Sequence, residues 1–388
     1  MLFIISEQIA HRALDEHIEK SLLVMNSLEA CLKYGKHMVF AHHGVLEYIQ
    51  QKAPKDYPFI ISILSSYSTI GSAARQMSWH AEFIVDQPSY RDEEHHVIYI
   101  NEAELPRFEL VKETHLLGEH LKDVQYIAHI MRYYQKEHEL KPMSRYYSLL
   151  GGGSSIAHVY ENEIKEGHAF VLCITDGDKK YPTDEIGDTG KNVQKMDEAY
   201  HKPFHAYYYN MQDVTEMENL IPWSVIEKYA TESKDPEVIK RLQIIKRIKD
   251  ANEAYLSYFD YKEGISKTKE TEPKLLEYQM DIMKVIDPMV TTRMKKDEEQ
   301  WQIQKQQFIE SGLANDAKEA EKIIKYIRKK IKYISGICEN ILESVIINYS
   351  YELSNIKKTD LSTDQLQEYE RIGELAYSWT CCLDPVIP

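Results

Sequence analysis

A Rossmann-like parallel α/β sheet, preceded by a smaller α/β module and followed by an all-helical region, is the architecture predicted by this 388-residue sequence. Three stretches predict it. Phe170-Val171-Leu172-Cys173-Ile174-Thr175 is a continuous apolar run ending in Asp176-Gly177-Asp178, which is how a buried parallel strand reads when it emerges into solvent at its last residue. Leu116-Leu117-Gly118-Glu119 is a second such run, and from Leu121 the apolar positions Val124, Ile127, Ala128, Ile130 and Met131 follow a helical period. Between them, Tyr146-Tyr147-Ser148-Leu149-Leu150 breaks into Gly151-Gly152-Gly153-Ser154-Ser155. Strand, helix, strand, helix, strand is the resulting order, with acids at the ends of the first and third strands.

Taken in order, residues 1–107 read as an N-terminal α/β module. Leu2 to Ile5, Met38 to Ala41 and Val97 to Ile100 are short strands, and Ile9 to Leu32 is helix-like. Its histidine pairs His42/His43 and His95/His96 invite a metal reading, but adjacent residues point in different directions on any regular element, so they are read as exposed or core histidines. A PIN-type nuclease is excluded here because the first strand ends in Ser6-Glu7-Gln8 and lacks the aspartate that fold places there.

Residues 108–225 form the central domain. After the glycine run comes a helix that Gly167 closes, with Ser154 or Ser155 as its N-cap. The glycine run has two readings, a tight strand-to-helix turn or backbone amides that approach a phosphate; the second makes Gly151, Gly152, Gly153, Ser154 and Ser155 phosphate-binding. From Lys179 to Pro203 periodicity is lost, which predicts a long loop lying over the site, with Lys179, Lys180 and Lys191 placed to touch phosphate. Gly187-Asp188-Thr189-Gly190-Lys191-Asn192 lacks the spacing and the Ser/Thr of a nucleotide-phosphate loop, so ATP hydrolysis by this chain is not expected.

Residues 226–388 read as helical throughout. Ile324, Ile327, Ile331, Ile334, Cys338, Ile341 and Val345 make a seam at three- and four-residue steps, suited to helix packing or oligomerisation. Lys322, Lys325, Arg328, Lys329, Lys330 and Lys332 flank it, and Lys240, Arg241, Lys246, Arg247 and Lys249 mark a second basic helix. Both are solvated faces or nucleic-acid contacts. Glu263 to Pro273 reads as an exposed connection.

The chemistry follows from strand ends. In an open α/β sheet the ligand site lies beyond the C-terminal ends of the strands. Residues i and i+2 of extended backbone point the same way, so Asp176 and Asp178 are expected to converge, a costly arrangement without a cation between them. Glu119 and Asp123, four residues apart at the start of a helix, add carboxylates on one face. Hard oxygen ligands in this number suit Mg²⁺ or Mn²⁺ better than zinc.

These motifs resemble the TOPRIM domain shared by topoisomerases, bacterial primases and several nucleases. Leu116 to Asp123, Gly151 to Ile156 and Thr175 to Asp178 are similar to the overcoming-lysogenization-defect nucleases and related anti-phage effectors. Glu216-Met217-Glu218-Asn219-Leu220 matches their late acidic motif. In this chain Gly118 precedes Glu119 and His120 follows it, the reverse of the family's Glu-Gly order. The resemblance covers about Phe108 to Pro222. It implies a metal-dependent endonuclease, a hydrolase of DNA or RNA phosphodiester bonds. Glu119 would be ligand or general base with Asp123 supporting it, Asp176 would bridge, and Asp178 and Glu218 would hold a second ion about 3.5–4 Å from the first. It also implies an antiviral-defence setting and a separate ABC- or SMC-like ATPase as partner.

Two other classes fit parts of the pattern. A haloacid-dehalogenase-like phosphatase would use Asp176 as nucleophile and has no need of Glu119. A regulatory or scaffolding subunit would keep the fold and use its acids as caps and surface.

Composition bounds these readings. The chain carries 62 acidic against 47 basic residues, a net charge of −15, which disfavours tight unassisted binding to nucleic acid. Its five cysteines show no Cys-x-x-Cys spacing, so neither a disulfide framework nor a zinc site is expected. No apolar run is long enough to span a bilayer, and Met1 to Ile5 meets Glu7 without a basic leader. A cytoplasmic protein is the expectation.

Overall fold

The computed structural model describes residues 1–266 and 273–384. The contact pattern groups them into two compact units: Met1–Asp176, Gly187–Met211 and Glu368–Pro388 in the first, and Gly177–Ile186 and Gln212–Gln367 in the second. The protein is mixed α/β with parallel sheets and a helical C-terminal region.

The first unit holds two main sheets and one short two-stranded pair. Strand β1 (Leu2–Ile5) leads through α1 (Glu7–Leu14) and α2 (Glu19–Tyr34) to β2 (Met38–Ala41). The expected single helix over Ile9 to Leu32 is therefore two, separated between Leu14 and Glu19. Next come α3 (His43–Lys52), α4 (Pro58–Ser62), α5 (Tyr67–Ala74), β3 (His80–Ile84), β4 (Tyr90–Asp92) and β5 (Val97–Asn101). Their strand order is β2-β1-β3-β5-β4, parallel except for the edge strand β4.

The second sheet starts at β6 (Thr114–Gly118), followed by α6 (Leu121–Glu137), β7 (Met143–Ser144), β8 (Tyr146–Leu150), α7 (Ile156–Glu166), β9 (Val171–Thr175), α8 (Asp188–Ala199) and β10 (Ala206–Asn210). The order is β10-β9-β6-β8, all parallel. Leu117, Val171 and Cys173 pack with Ile156, Tyr160, Ile164 and Val193 into one buried cluster under α7 and α8. Alternation turns Leu116, Leu172 and Ile174 to the other face. Phe3 of β1 stacks on Phe83 of β3 at 6.0 Å and reaches the Phe170 ring, just before β9, at 5.7 Å, centroid to centroid.

Both sheets thus set their first strand between the second and third. In each, the chain moves one way from the first strand and then returns to its other side, which creates a switch point between strands one and three. Those points lie between β1 and β3, and between β6 and β9.

The second unit contains α9 (Trp223–Glu232), α10 (Pro236–Ala251), β11 (Gly264–Ser266), α11 (Pro273–Ile286), α12 (Val290–Glu310), α13 (Ala317–Lys330), β12 (Lys332–Ser335), α14 (Ile341–Asn348) and α15 (Ser350–Ser354). Helix α16 (Thr363–Thr380) and β13 (Cys381–Cys382), which pairs with β7, complete the described chain.

The region after Pro222 is thus helical but not all-helical, and the isoleucine seam is not one helix. It ends with α13; Ile331 turns extended, and Ile334 sits on β12, antiparallel to β11. The pairing needs close backbone approach: Gly264 has φ +73°, and a Cβ on Gly336 would lie 2.5 Å from the Lys262 carbonyl oxygen. A three- and four-residue isoleucine spacing does not register that contact. Of the connection expected over Glu263 to Pro273, residues 267–272 lie outside the described residues.

Candidate functional site

Glu119 and Asp176 each stand one residue beyond a strand end at the second switch point. Leu117 of β6 pairs with Cys173 of β9, so two residues on, Glu119 is level with Thr175, on strands about 4.8 Å apart. Burial first, and then the negative charge of Glu119, hold the Cys173 thiol well above its usual range.

The turns that present these acids are built from backbone hydrogen bonds. Gly151 N–H donates to the Gly118 carbonyl at 2.8 Å and Gly153 N–H to the Glu119 carbonyl at 3.1 Å. Two of the glycine amides thus close the strand-to-helix turn around Glu119, as the turn reading expects. The predicted serine cap is not formed: a 3₁₀ turn, Gly153–Ser155, leads into α7, and Ser155 makes no side-chain cap. Gly167 ends α7 in the left-handed conformation, as expected.

Asp123 is buried on the first turn of α6, and its carboxylate accepts the His120 N–H at 2.8 Å. That contact closes the start of the helix. His120 has extended backbone as the N-cap of α6.

Beyond Thr175 the strand does not continue. Asp178 has φ +53°, so the extended backbone expected to turn Asp176 and Asp178 to one side is lost. Asn210 Nδ2 donates to Thr175 Oγ1 at 2.9 Å and also to the Asp176 carbonyl, while Met211 N–H reaches the Thr175 carbonyl at 3.2 Å. The Asp176 turn is thereby tied to the end of β10.

Within the predicted loop over Lys179 to Pro203, the stretch before Asp188 is irregular as expected, while Asp188–Ala199 is helix α8. Its inward positions are Gly190, Val193 and Asp197; only one is apolar in the ordinary sense, so hydropathy hides the helix. Lys191 sits on this helix. A Cβ at Gly190 would lie 2.8 Å from both Asn210 Nδ2 and Tyr208 Oη, groups already held by the Thr175 network. Gly190→Ala is expected to cost about 1–3 kcal/mol through overpacking, read by urea denaturation. A change below about 0.5 kcal/mol would mean that the Asn210 turn yields freely.

The second unit holds the remaining predicted residues. Asp178 N–H donates to the Thr215 carbonyl at 2.7 Å, and Lys179 Nζ to the Gln212 carbonyl at 2.8 Å. Glu218 is buried, and Lys262 Nζ lies 3.1 Å from it and 3.0 Å from Glu216. Glu216 belongs to the late acidic motif, but Lys262 is not a candidate from sequence, since its separation from Glu218 gives no spacing signal. Burial, with Glu218 adding to it against the pull of Lys262, pushes Glu216 up to about 7. A raised carboxyl keeps its proton longer in the folded state, so its stabilisation is full below about 4.5 and fades as pH rises through about 7. Glu216→Gln should therefore gain stability relative to the parent across that window. Equal slopes of unfolding free energy against pH in both proteins would disprove the shift.

The histidine pairs have the following neighbours. His95 bonds Asp92 at 2.9 Å, His96 stacks on Trp79 at 4.9 Å, and His43 lies 3.4 Å from Glu47. Among the described residues no group of three or more His, Cys, Asp or Glu side chains is arranged to hold a metal ion. The Glu119–Asp176 arrangement suits a different donor set, that of an ion such as Mg²⁺ which keeps most of its waters and takes one or two carboxylates plus substrate phosphate. Among the described residues no helix is long and apolar enough to cross a membrane. No family model, curated protein or solved structure matches the chain.

Proposed function

We propose that the chain is a Mg²⁺- or Mn²⁺-dependent nuclease of TOPRIM type that cleaves phosphodiester bonds in DNA or RNA. The observation that carries this reading is the placement of Glu119 and Asp176 at adjacent parallel strand ends flanking a switch point. A divalent ion bound there supplies Lewis-acid stabilisation of the phosphoryl oxygens and an activated water. In this reading Glu119 and Asp176 provide the carboxylate oxygens, and Asn210 with Thr175 holds the Asp176 turn rigid. Gly151 and Gly153 fix the Glu119 turn, which favours a defined ligand geometry. Asp178, Glu218 and a separate ABC-type ATPase partner enter through the resemblance alone. Lys179 follows the acidic strand end directly in sequence, and Lys191 lies further along, on α8.

The direct test is incubation of the purified protein with plasmid DNA and with total RNA in Mg²⁺ or Mn²⁺, with and without chelator. Cleavage that needs the metal supports the reading. Silence on both substrates, with an ATPase encoded beside it also added, would defeat it in favour of a scaffolding role.

A further inference from the structure

We propose that the first switch point, between β1 and β3, is a second ligand site that binds a nucleotide. A cavity of about 620 Å³ opens beyond the C-terminal ends of β1 and β2, beside Glu82 in the middle of β3, a volume that suits a mononucleotide-sized ligand. Its walls come from separate elements: Ile4, Ser6 and Glu7 at the end of β1, His11 on α1, His42 after β2, Gly44 and Tyr48 on α3, and Glu82 on β3. Ile4 and Glu82 are register partners on adjacent strands, so an apolar floor and a carboxylate lie side by side.

The lining separates by chemistry. On one wall, α3 begins at His43 with His42 as N-cap, and the space a Cβ would take at Gly44 is open to 4 Å. The His43 N–H donates to Tyr67 Oη at 3.1 Å and the Val45 N–H to the His42 carbonyl at 3.0 Å, so the Gly44 N–H, with the His42 imidazole beside it, is the donor this helix start offers a phosphate oxygen. On another wall stand acceptors, Glu82, 3.3 Å from His80, and Glu7, 3.5 Å from His11. Carboxylates at that position of a sheet accept hydrogen bonds from ribose hydroxyls. The His11 and Tyr48 rings, 4.2 Å apart, add an aromatic surface. Donors, acceptors and rings around one cavity match phosphate, sugar and base; a bare anion would find the carboxylates repulsive. This site uses none of Glu119, Asp123, Asp176, Asp178 or Glu218, and so does not depend on the nuclease reading.

The test is isothermal titration of the full chain in EDTA with ATP, GTP, AMP and inorganic phosphate. At least one nucleotide is expected to bind with a Kd below about 100 μM, tighter than phosphate alone. Gly44→Asp sets a negative charge where phosphate would sit, yet favours the helix start, so folding is retained. It and His42→Ala should each weaken binding about tenfold or more, and Glu82→Gln should weaken the nucleotide but not phosphate. Glu119→Ala should leave the affinity unchanged. The proposal is overturned if no nucleotide binds, if phosphate binds as tightly as any nucleotide, if Gly44→Asp binds as the parent does, or if Glu119→Ala abolishes binding and so moves the ligand to the other switch point.

Discussion

Glu119→Gln and Asp176→Asn are each expected to lower metal-dependent cleavage by about 10²–10³-fold while leaving the unfolding transition in place. Both substitutions keep size and hydrogen-bonding capacity and remove only charge, so they act on what the strand ends present to an ion. Because the two acids work as a unit, the double variant should be little worse than the weaker single one. Asp123→Asn separates two roles. Its carboxylate accepts the His120 N–H at 2.8 Å, so loss of about 0.5–2 kcal/mol of stability with the rate retained assigns it to the helix start. A rate loss matching that of Glu119→Gln makes it part of the site. Cleavage by Glu119→Gln at the parental rate would sink the carboxylate-pair reading.

The largest stability effect is expected at Arg91. This side chain, 1% exposed, leaves edge strand β4 and lies 3.1 Å from Asp197 on α8 and 2.9 Å from Glu93. It also donates to the Pro203 and Ala206 carbonyls and covers the Tyr207 ring at 4.8 Å. Tyr160 Oη completes the cluster, donating to Asp197 at 2.7 Å. Removing the cation leaves Asp197, 10% exposed, without its main counter-charge, and breaking a buried pair in this way costs about 3–5 kcal/mol. Arg91→Ala should lose that amount in urea denaturation. Arg91→Lys should recover only part, since an ammonium cannot reproduce the planar fork that reaches a carboxylate and two carbonyls at once. A loss under about 1 kcal/mol would show that the cluster is solvated in the native state.

Arg91 also illustrates what a linear reading misses. It looks like an ordinary surface cation in Tyr90-Arg91-Asp92-Glu93, and Asp197 looks like one more acid in a charged stretch. Only the fold brings them together, across 106 residues, and a buried acid on α8 is a polar inner position that hydropathy does not signal. The same holds for Lys262, whose meeting with Glu216 and Glu218 no spacing announces.

Where structure depends on local hydrophobic period and strand-end chemistry, the sequence sufficed. Leu2–Ile5, Met38–Ala41 and Tyr146–Leu150 are strands over the residues expected, and α6 begins at Leu121 as its apolar period requires. Glu119 and Asp176 stand at strand ends because apolar runs of buried parallel strands stop where the chain meets solvent. Tertiary structure decided what period cannot encode: strand order, and with it two switch points; the break of the isoleucine seam by the Gly264–Gly336 contact; and the left-handed turn at Asp178. It also decided the cavity beside Glu82, since residues from three neighbouring strands and two helices share one volume only once β1 is set between β2 and β3. The physical reason is the same throughout: local preferences are set by neighbours along the chain, whereas pairing, close backbone approach and burial of charge are set by neighbours in space.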